Sequence, residues 1–357
     1  MMGLLSGLKV VDLSSVLAGP LTGSFLAECG ARVLKVEAPA GDVTRTWRAS
    51  GEAPSGPSAY YAAANTGKEV HVVDLKSAEG QSWLHHELTD TDVLIQNMKW
   101  ADLQRMGLMP DHLQEQFPRL VHVRLIGTEF DADRLAYDVV IQAETGFMSM
   151  NGHPDRPPAR MPVALMDVLA SHHMRAAVLG GLYRREREST GWYAEVSLLG
   201  AGLTALANQG TNALINDMTP QRQGSAHPNI APYGDFLTCK GGDLVLAVGS
   251  DAQFSSLCRV LQLPEVEADA RFQSNPSRVA YREDLMTHLN AVSREVDREV
   301  LRRKLHEAKV PAGAVFNVQE ALGQPGISER YVVLEDGQPR LKTSAIDVQL
   351  SGQHGGL

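Results

Sequence analysis

The 357-residue chain has only three cysteines, Cys29, Cys239 and Cys258. Thiols so few and so far apart exclude a disulfide framework or a closed cysteine zinc site, and they read as reduced, buried groups of a cytoplasmic protein. The sequence holds no HExxH and no CxxC. Its twelve histidines are dispersed apart from His85 with His86 and His172 with His173, so no metal site is expected. Positive charge is in deficit, 33 Lys and Arg against 42 Asp and Glu, and the net charge of −9 excludes a general attraction to nucleic acid or to an anionic membrane. No run of about eighteen apolar residues is free of charge, so no membrane-spanning helix is expected. The opening MMGLLSGLKVVDLSSVLAGP lacks a basic n-region and is interrupted by Lys9 and Asp12, which argues against a signal peptide.

What is present has a globular balance, 43% hydrophobic and 21% charged with the signs interspersed, which excludes wholesale disorder. Short β-branched-rich runs recur at 8–14, 31–38, 69–75, 91–97 and 119–127. Their hydrophobicity is continuous rather than alternating, which predicts strands covered on both faces. Helix-compatible stretches lie between them, at 20–29 and 77–88. This β, α, β rhythm predicts an α/β fold, a Rossmann-like layer with a mostly parallel sheet and right-handed crossovers. Further helices are predicted at 138–149 and 168–187, then a strand at 194–199 and a helix to about residue 215. DMTPQRQGSAHPNIAP at 217–232 has no period and is rich in Pro, Gly and polar residues, so it reads as a linker. The chain thus divides into a large domain over 1–216, a linker over 217–232, a small α+β domain over 233–326 and a return segment over 327–357. The small domain should hold a hairpin about Lys240-Gly241-Gly242-Asp243 and helices near 252–262, 281–294 and 297–308.

No glycine fingerprint follows the first strand and no Walker loop occurs, so the topology alone assigns no nucleotide cofactor. The most informative residue is Asp167, in ARMPVALMDVLASHHM. It interrupts an apolar run where an unpaired ionised carboxylate would be costly. It stands where a short strand is expected to hand over to a helix, and ligands of open α/β sheets gather at such strand ends. Local physics by itself favours Asp167 as the cap of the following helix.

SVLAGPLTGSFLAECGARVLKVEAPAGDVTR, NTGKEVHVVDLKSAEG, DVLIQNMKWADLQRMGL, AYDVVIQAETGF and HPNIAPYGDF occur in order and at consistent spacing. Together they resemble blocks of the family III CoA-transferases, the CaiB/BaiF family of the formyl-CoA and carnitine CoA-transferase type, over nearly the whole chain. The resemblance implies a transferase without a permanently bound cofactor, taking an acyl-CoA and a small carboxylic acid as substrates. It implies that Asp167 attacks the donor thioester, giving an aspartyl anhydride and then an aspartyl-CoA thioester. Amides near the start of the helix that carries Asp167 would stabilise the oxyanions. It places CoA against Val16, Leu17 and Ala18, then Val73 and Lys76, then Asn97, Met98 and Arg105, with Tyr137 at the thioester end. Lys76 and Arg105 suit phosphate. Asp138 matches a second acidic position of the site, although it could instead cap the helix that follows it.

Trp47 matches an active-site tryptophan of formyl-CoA transferase, whereas Leu17 and Leu135 stand where that enzyme has a glutamine and a CoA-contacting lysine. Its glycine-rich loop has no counterpart here, and HPNIAPYG occupies the equivalent linker. The chain ends after QLSGQHGGL, short of the C-terminal helix of most relatives, yet the segment at 331–351 that closes each subunit into a ring is present. The resemblance therefore implies an interlocked homodimer. The first rival reading is an acyl-CoA racemase of the same superfamily, in which a histidine stands where this chain has Tyr137. The second is a CoA-binding protein without catalysis.

Overall fold

The computed structural model describes residues 3–131, 134–335 and 337–346. Within them the chain forms two compact units. One takes in the chain up to Met148, Arg160–Thr219 and the part from Gly326 onward, and the other takes in Ser149–Ala159 and Pro220–Pro325. Residues 149–159 thus go with the second unit, where the sequence reading had left them in the first.

The first unit runs β1 (Lys9–Asp12), α1 (Ala18–Glu28), β2 (Arg32–Glu37), α2 (Ala59–Asn65), β3 (Glu69–Val72), α3 (Ala78–Leu88), β4 (Val93–Gln96), α4 (Trp100–Arg105), α5 (Pro110–Gln116), β5 (Val121–Ile126), α6 (Asp138–Glu144), α7 (Phe147–Met150), α8 (Leu165–Glu188), β6 (Trp192–Ser197), α9 (Leu198–Thr204) and α10 (Ala207–Asn216). The strands make one parallel sheet of order β3-β2-β1-β4-β5-β6. This is the doubly wound arrangement, whose strand order reverses between β1 and β4 and opens a crevice at their carboxyl ends. Successive strand residues serve opposite faces. Val10, Val93, Ile95 and Val123 pack with α1 and α8, whereas Val11, Leu34 and Leu94 pack with Leu84, Leu88, Leu103 and Leu113 of the helices on the other face. Each such side chain, removed from water, stabilises the fold by roughly 1.5–3 kcal/mol.

Two expectations are corrected here. β3 is exposed at all four of its residues, because it ends the sheet, although Trp83 of α3 stacks on His71, so the run at 69–75 is not a strand buried on both faces. The segment before Asp167 forms no strand: 151–164 is irregular, and α8 begins at Leu165, so Asp167 lies inside the first helical turn. α8 ends at Ser189, which takes a left-handed conformation (φ 59°), with Arg185 and Arg187 in the last turn where a helix favours cations. The helix predicted over 138–149 is split at Gly146, whose φ of +84° leaves the helical region. Among the described residues no helix is long and apolar enough to cross a membrane.

In the second unit β7 (Tyr233–Cys239) and β8 (Gly242–Ala247) form the predicted hairpin, and β9 (Ala312–Ala314) joins β8 antiparallel. Gly241 and Gly242, at φ +87° and +129°, make the turn that L side chains would resist. Helices Asp251–Leu261, Arg282–Ser293 and Arg298–Glu307 bury Leu257, Leu285, Leu289 and Leu305 against the hairpin. Part of the return segment forms the hairpin β10 (Val332–Glu335) and β11 (Gln338–Leu341) in the first unit, tied by Arg340 to Glu28 at 2.8 Å. The remainder of that segment, from 347, lies outside the described residues. Cys239 and Cys258 are buried, but Cys29 is only half-buried, at the end of α1.

Candidate active site

The crevice begins with β1 and β4, whose apolar runs deliver two loops to the same edge of the sheet. Asn97, after β4, accepts the amide of Ser15 at 3.1 Å and donates to the Ser15 carbonyl at 3.0 Å, stitching the β1–α1 loop across the switch point. Gln96 accepts the Met98 amide at 2.7 Å, and the buried Arg124 guanidinium donates to the Met98 carbonyl, so the β4 loop is held from both sides.

Asp167 faces this crevice from the first turn of α8 with 9% of its surface exposed. Burial pushes its carboxyl up to about 7; the negative charge of Asp138 adds to the rise, and a hydrogen bond from the Ala18 amide, the first residue of α1, opposes it. Asp138 is itself the first residue of α6, but its carboxylate serves α8. Its Oδ1 accepts the Met166 amide at 2.7 Å and lies 3.4 Å from the Asp167 amide, while Oδ2 accepts from Gln142 at 2.6 Å. Asp138 therefore does not cap the helix that follows it. It caps α8, whose N-cap residue Ala164 has no side chain able to do so. The expectation that amides at the start of α8 receive the oxyanions is corrected by the same contacts, because Asp138 already holds them. The amide on the carboxyl of Asp167 comes instead from α1.

A cleft of about 230 Å³ opens over these groups, lined by Ser15, Val16, Asn97, Met98, Tyr137, Asp138 and Asp167 among others. Leu17 and Ala18, at the start of α1, follow the lining residue Val16 but do not line it themselves, and Ala18 is buried. Val73, Lys76 and Arg105 do not line it, and Arg105 is paired with Asp102 on an exposed face. The cations on its wall are Lys99, Arg124 and Arg134, which the sequence reading did not single out. Arg124 is committed to Glu195 at 2.9 Å and Arg134 to Glu144. Lys99 is exposed at the start of α4 and has no carboxylate partner among the described residues.

Trp47 packs edge-on against Tyr60, with ring centroids 5.1 Å apart. Tyr60 is a second residue the sequence reading missed. Its phenol is pushed up by burial and then by the charges of Asp167, Asp138 and Asp42, which places it among these carboxylates. Its neighbour Tyr61 turns the other way, donating to Glu37 at 2.6 Å under the Arg45 guanidinium. No local signal in SAYYAAAN separates the two tyrosines; only the phase of α2 does.

Residues 5–357 match CoA-transferase family III. A succinate–glutarate CoA-transferase of Agrobacterium fabrum is 36% identical over 336 residues, covering 91% of this chain and 83% of that protein. A human succinyl-CoA:glutarate CoA-transferase is 30% identical over 348 residues, covering 94% and 77%. The crystal structure of a CaiB/BaiF family protein from Brucella suis is similar with a TM-score of 0.88 at 34% identity, over 99% of this chain and 94% of its own. Sequence blocks, strand order and relatives agree, and the chain belongs to family III of the CoA-transferases, enzymes that move coenzyme A between carboxylic acids.

Proposed function

We propose that Asp167 is the covalent carrier of this transfer. The observation that carries the reading is a buried carboxyl at the switch-point crevice, raised to about 7 and touched by one backbone amide. A carboxylate oxygen of Asp167 attacks the thioester carbonyl of the donor; the C–S bond breaks, CoA thiolate departs and a mixed anhydride remains. The thiolate then attacks the aspartyl carbonyl, the donor acid leaves as its carboxylate, and Asp167 carries CoA as a thioester. An acceptor carboxylate attacks that carbonyl, releasing thiolate. The thiolate takes the acceptor's acyl group from the new anhydride and restores the Asp167 carboxylate. Only a carboxylate serves here, because its acyl adduct is an anhydride, activated enough to exchange with a thiolate in both directions.

Each attack on the aspartyl carbonyl puts negative charge on its oxygen, where the Ala18 amide is suited to receive it. Burial of Asp167 keeps water, a competing nucleophile, from the activated adducts. An acyl-CoA donor fits the cleft wall, where Lys99 offers an unpaired charge for phosphate. Relatives named for succinate and glutarate support small dicarboxylic acids as the exchanging acids. Against a racemase, the groups acting on Asp167 are Asp138 and an amide, with no histidine among them. The exposed apolar residues Leu214 and Ile215 of α10 and Val72 of the β3 edge support a homodimer that covers them, interlocked as the family resemblance implies.

The test is trapping. Incubation with an acyl-CoA and hydroxylamine should convert Asp167 to its hydroxamate, seen by peptide mass spectrometry, and Asp167→Ala should abolish exchange while CoA still binds. Undiminished exchange by that variant would sink the mechanism.

A further inference from the structure

The β1–α1 loop carries a strained residue that its sequence does not explain. Val16 has φ +73°, a left-handed conformation that β-branched side chains avoid, and Leu17 after it, at φ −133° and ψ −63°, is also outside the common regions. A loop of this kind usually uses glycine; here the strain is held in place by its surroundings. The amide of Val16 reaches Asp42 Oδ2 at 3.4 Å. The same oxygen accepts from Lys35 Nζ at 3.1 Å, and Lys35 also donates to the Ser14 carbonyl. Both side chains are 1% exposed. Asp42 Oδ1 is fixed separately by the Thr44 amide at 3.0 Å and hydroxyl at 2.7 Å. Two residues beyond Val16 stands Ala18, packed in one cluster with Met166 and Ala170 of α8, and its amide is the backbone group that lowers the Asp167 carboxyl. α1 is tied to α8 through the Thr22 and Ser171 hydroxyls at 3.2 Å, and the loop before it is held at Ser15 by Asn97 and at Val16 by Asp42.

We propose that Asp42, with Lys35 as its buried counter-ion, is a positioning residue for the transfer: it holds Val16 left-handed and thereby aims the Ala18 amide at the carboxyl of Asp167. The inference rests on Asp167 being the nucleophile. It gives a function to a buried ion pair whose residues do not line the cleft. Such pairs are often neutral for stability, so their retention asks for another reason. Without the Oδ2 anchor Val16 relaxes to negative φ, the amide swings away from the carboxyl, and the aspartyl oxyanion loses its donor. Removal of one such donor lowers turnover by about 10²–10³-fold. A displaced amide should cost less, about 30- to 100-fold.

The experiment is a double-mutant cycle on the full-length enzyme. Asp42→Asn is isosteric, keeps Oδ1 on Thr44 and replaces the oxygen shared by Lys35 and Val16 with an NH₂ group. It should lower the single-turnover rate of Asp167 acylation about 30- to 100-fold with little change in KM for acyl-CoA. In the Val16→Gly background the same substitution should lose less than about 10-fold, because glycine takes positive φ without an anchor. Equal losses in the two backgrounds, or a loss confined to KM, would overturn the proposal. If Asp42→Asn does not fold, Lys35→Met with Asp42→Asn removes the buried charge and is compared across the same two backgrounds, with the same outcomes deciding. Failure of the nucleophile reading shows separately, as the absence of any adduct on Asp167 in the unaltered enzyme.

Discussion

Replacing Asp167 by Asn should make the protein more stable, and increasingly so as pH rises. The folded carboxyl is pushed from 3.8 to about 7, first by burial and then by Asp138. A carboxyl raised on folding contributes stability that is fully present below its unfolded pKa and is lost as pH climbs through the folded one, so the window runs from about pH 4 to about pH 7. Three pKa units at 1.36 kcal/mol each set a ceiling near 4 kcal/mol above pH 7. Roughly 1.6 kcal/mol of this is already lost at pH 5, which leaves about 2–3 kcal/mol to be lost between pH 5 and pH 8. Asn mimics the protonated acid, keeps an oxygen for the Ala18 amide and does not titrate. Urea unfolding at fixed protein concentration should therefore show the variant's advantage over the unaltered enzyme widening by about that amount from pH 5 to pH 8. A gap that is constant across this range, or that narrows, refutes the claim that Asp167 is ionised against its surroundings.

Asp138→Asn removes the negative charge that adds to the rise, so the acid limb of the single-turnover acylation rate, which climbs as Asp167 ionises, should move to lower pH. A limb that stays in place or moves upward would show that Asp138 acts only as the cap of α8. The proposed homodimer should appear in light scattering as twice the 38.7 kDa chain mass, and a mass of one chain would leave the apolar surface of α10 unexplained.

The sheet was legible because its central strands are apolar on both faces, and covering both faces is what a parallel sheet between two helical layers requires. β3 has the same composition and misled for that reason: nothing in EVHVVDL records that the sheet ends there. Asp167 is ambiguous in sequence because a helix cap ordinarily lies within a few residues, whereas α8 is capped by Asp138, 28 residues before Met166 and 29 before Asp167, a contact no local window contains. The resemblance points to Asp167 as the nucleophile proposed here but says nothing of the amide beside it. Val16 has no glycine to mark its left-handed turn; the anchors that permit it, Asp42 and Asn97, come from after β2 and after β4. Lys35 and Asp42 look in sequence like ordinary surface charges, and only the fold shows them buried together.

Dinucleotide-binding folds of this strand order lay a pyrophosphate on the N-terminus of the first helix. Here the amide at that position is met by the chain's own carboxyl, Asp167, and Pro20 in the first turn supplies no further N–H. The substitution has an energetic consequence. A phosphate stays charged, but in the proposed transfer the Asp167 carboxyl would lose its charge each time it became an anhydride or a thioester, with its carbonyl oxygen beside the Ala18 amide. Burial and the Asp138 charge, which together disfavour the free carboxylate by up to about 4 kcal/mol, do not disfavour the neutral adducts. The surroundings thus raise the resting nucleophile relative to its acylated states, which lowers the climb to each of them and keeps the exchange near balance. On the proposed mechanism the term that makes Asp167→Asn more stable is also the one that would make Asp167 reactive, so the two measurements, unfolding against pH and acylation against pH, should share one inflection near 7.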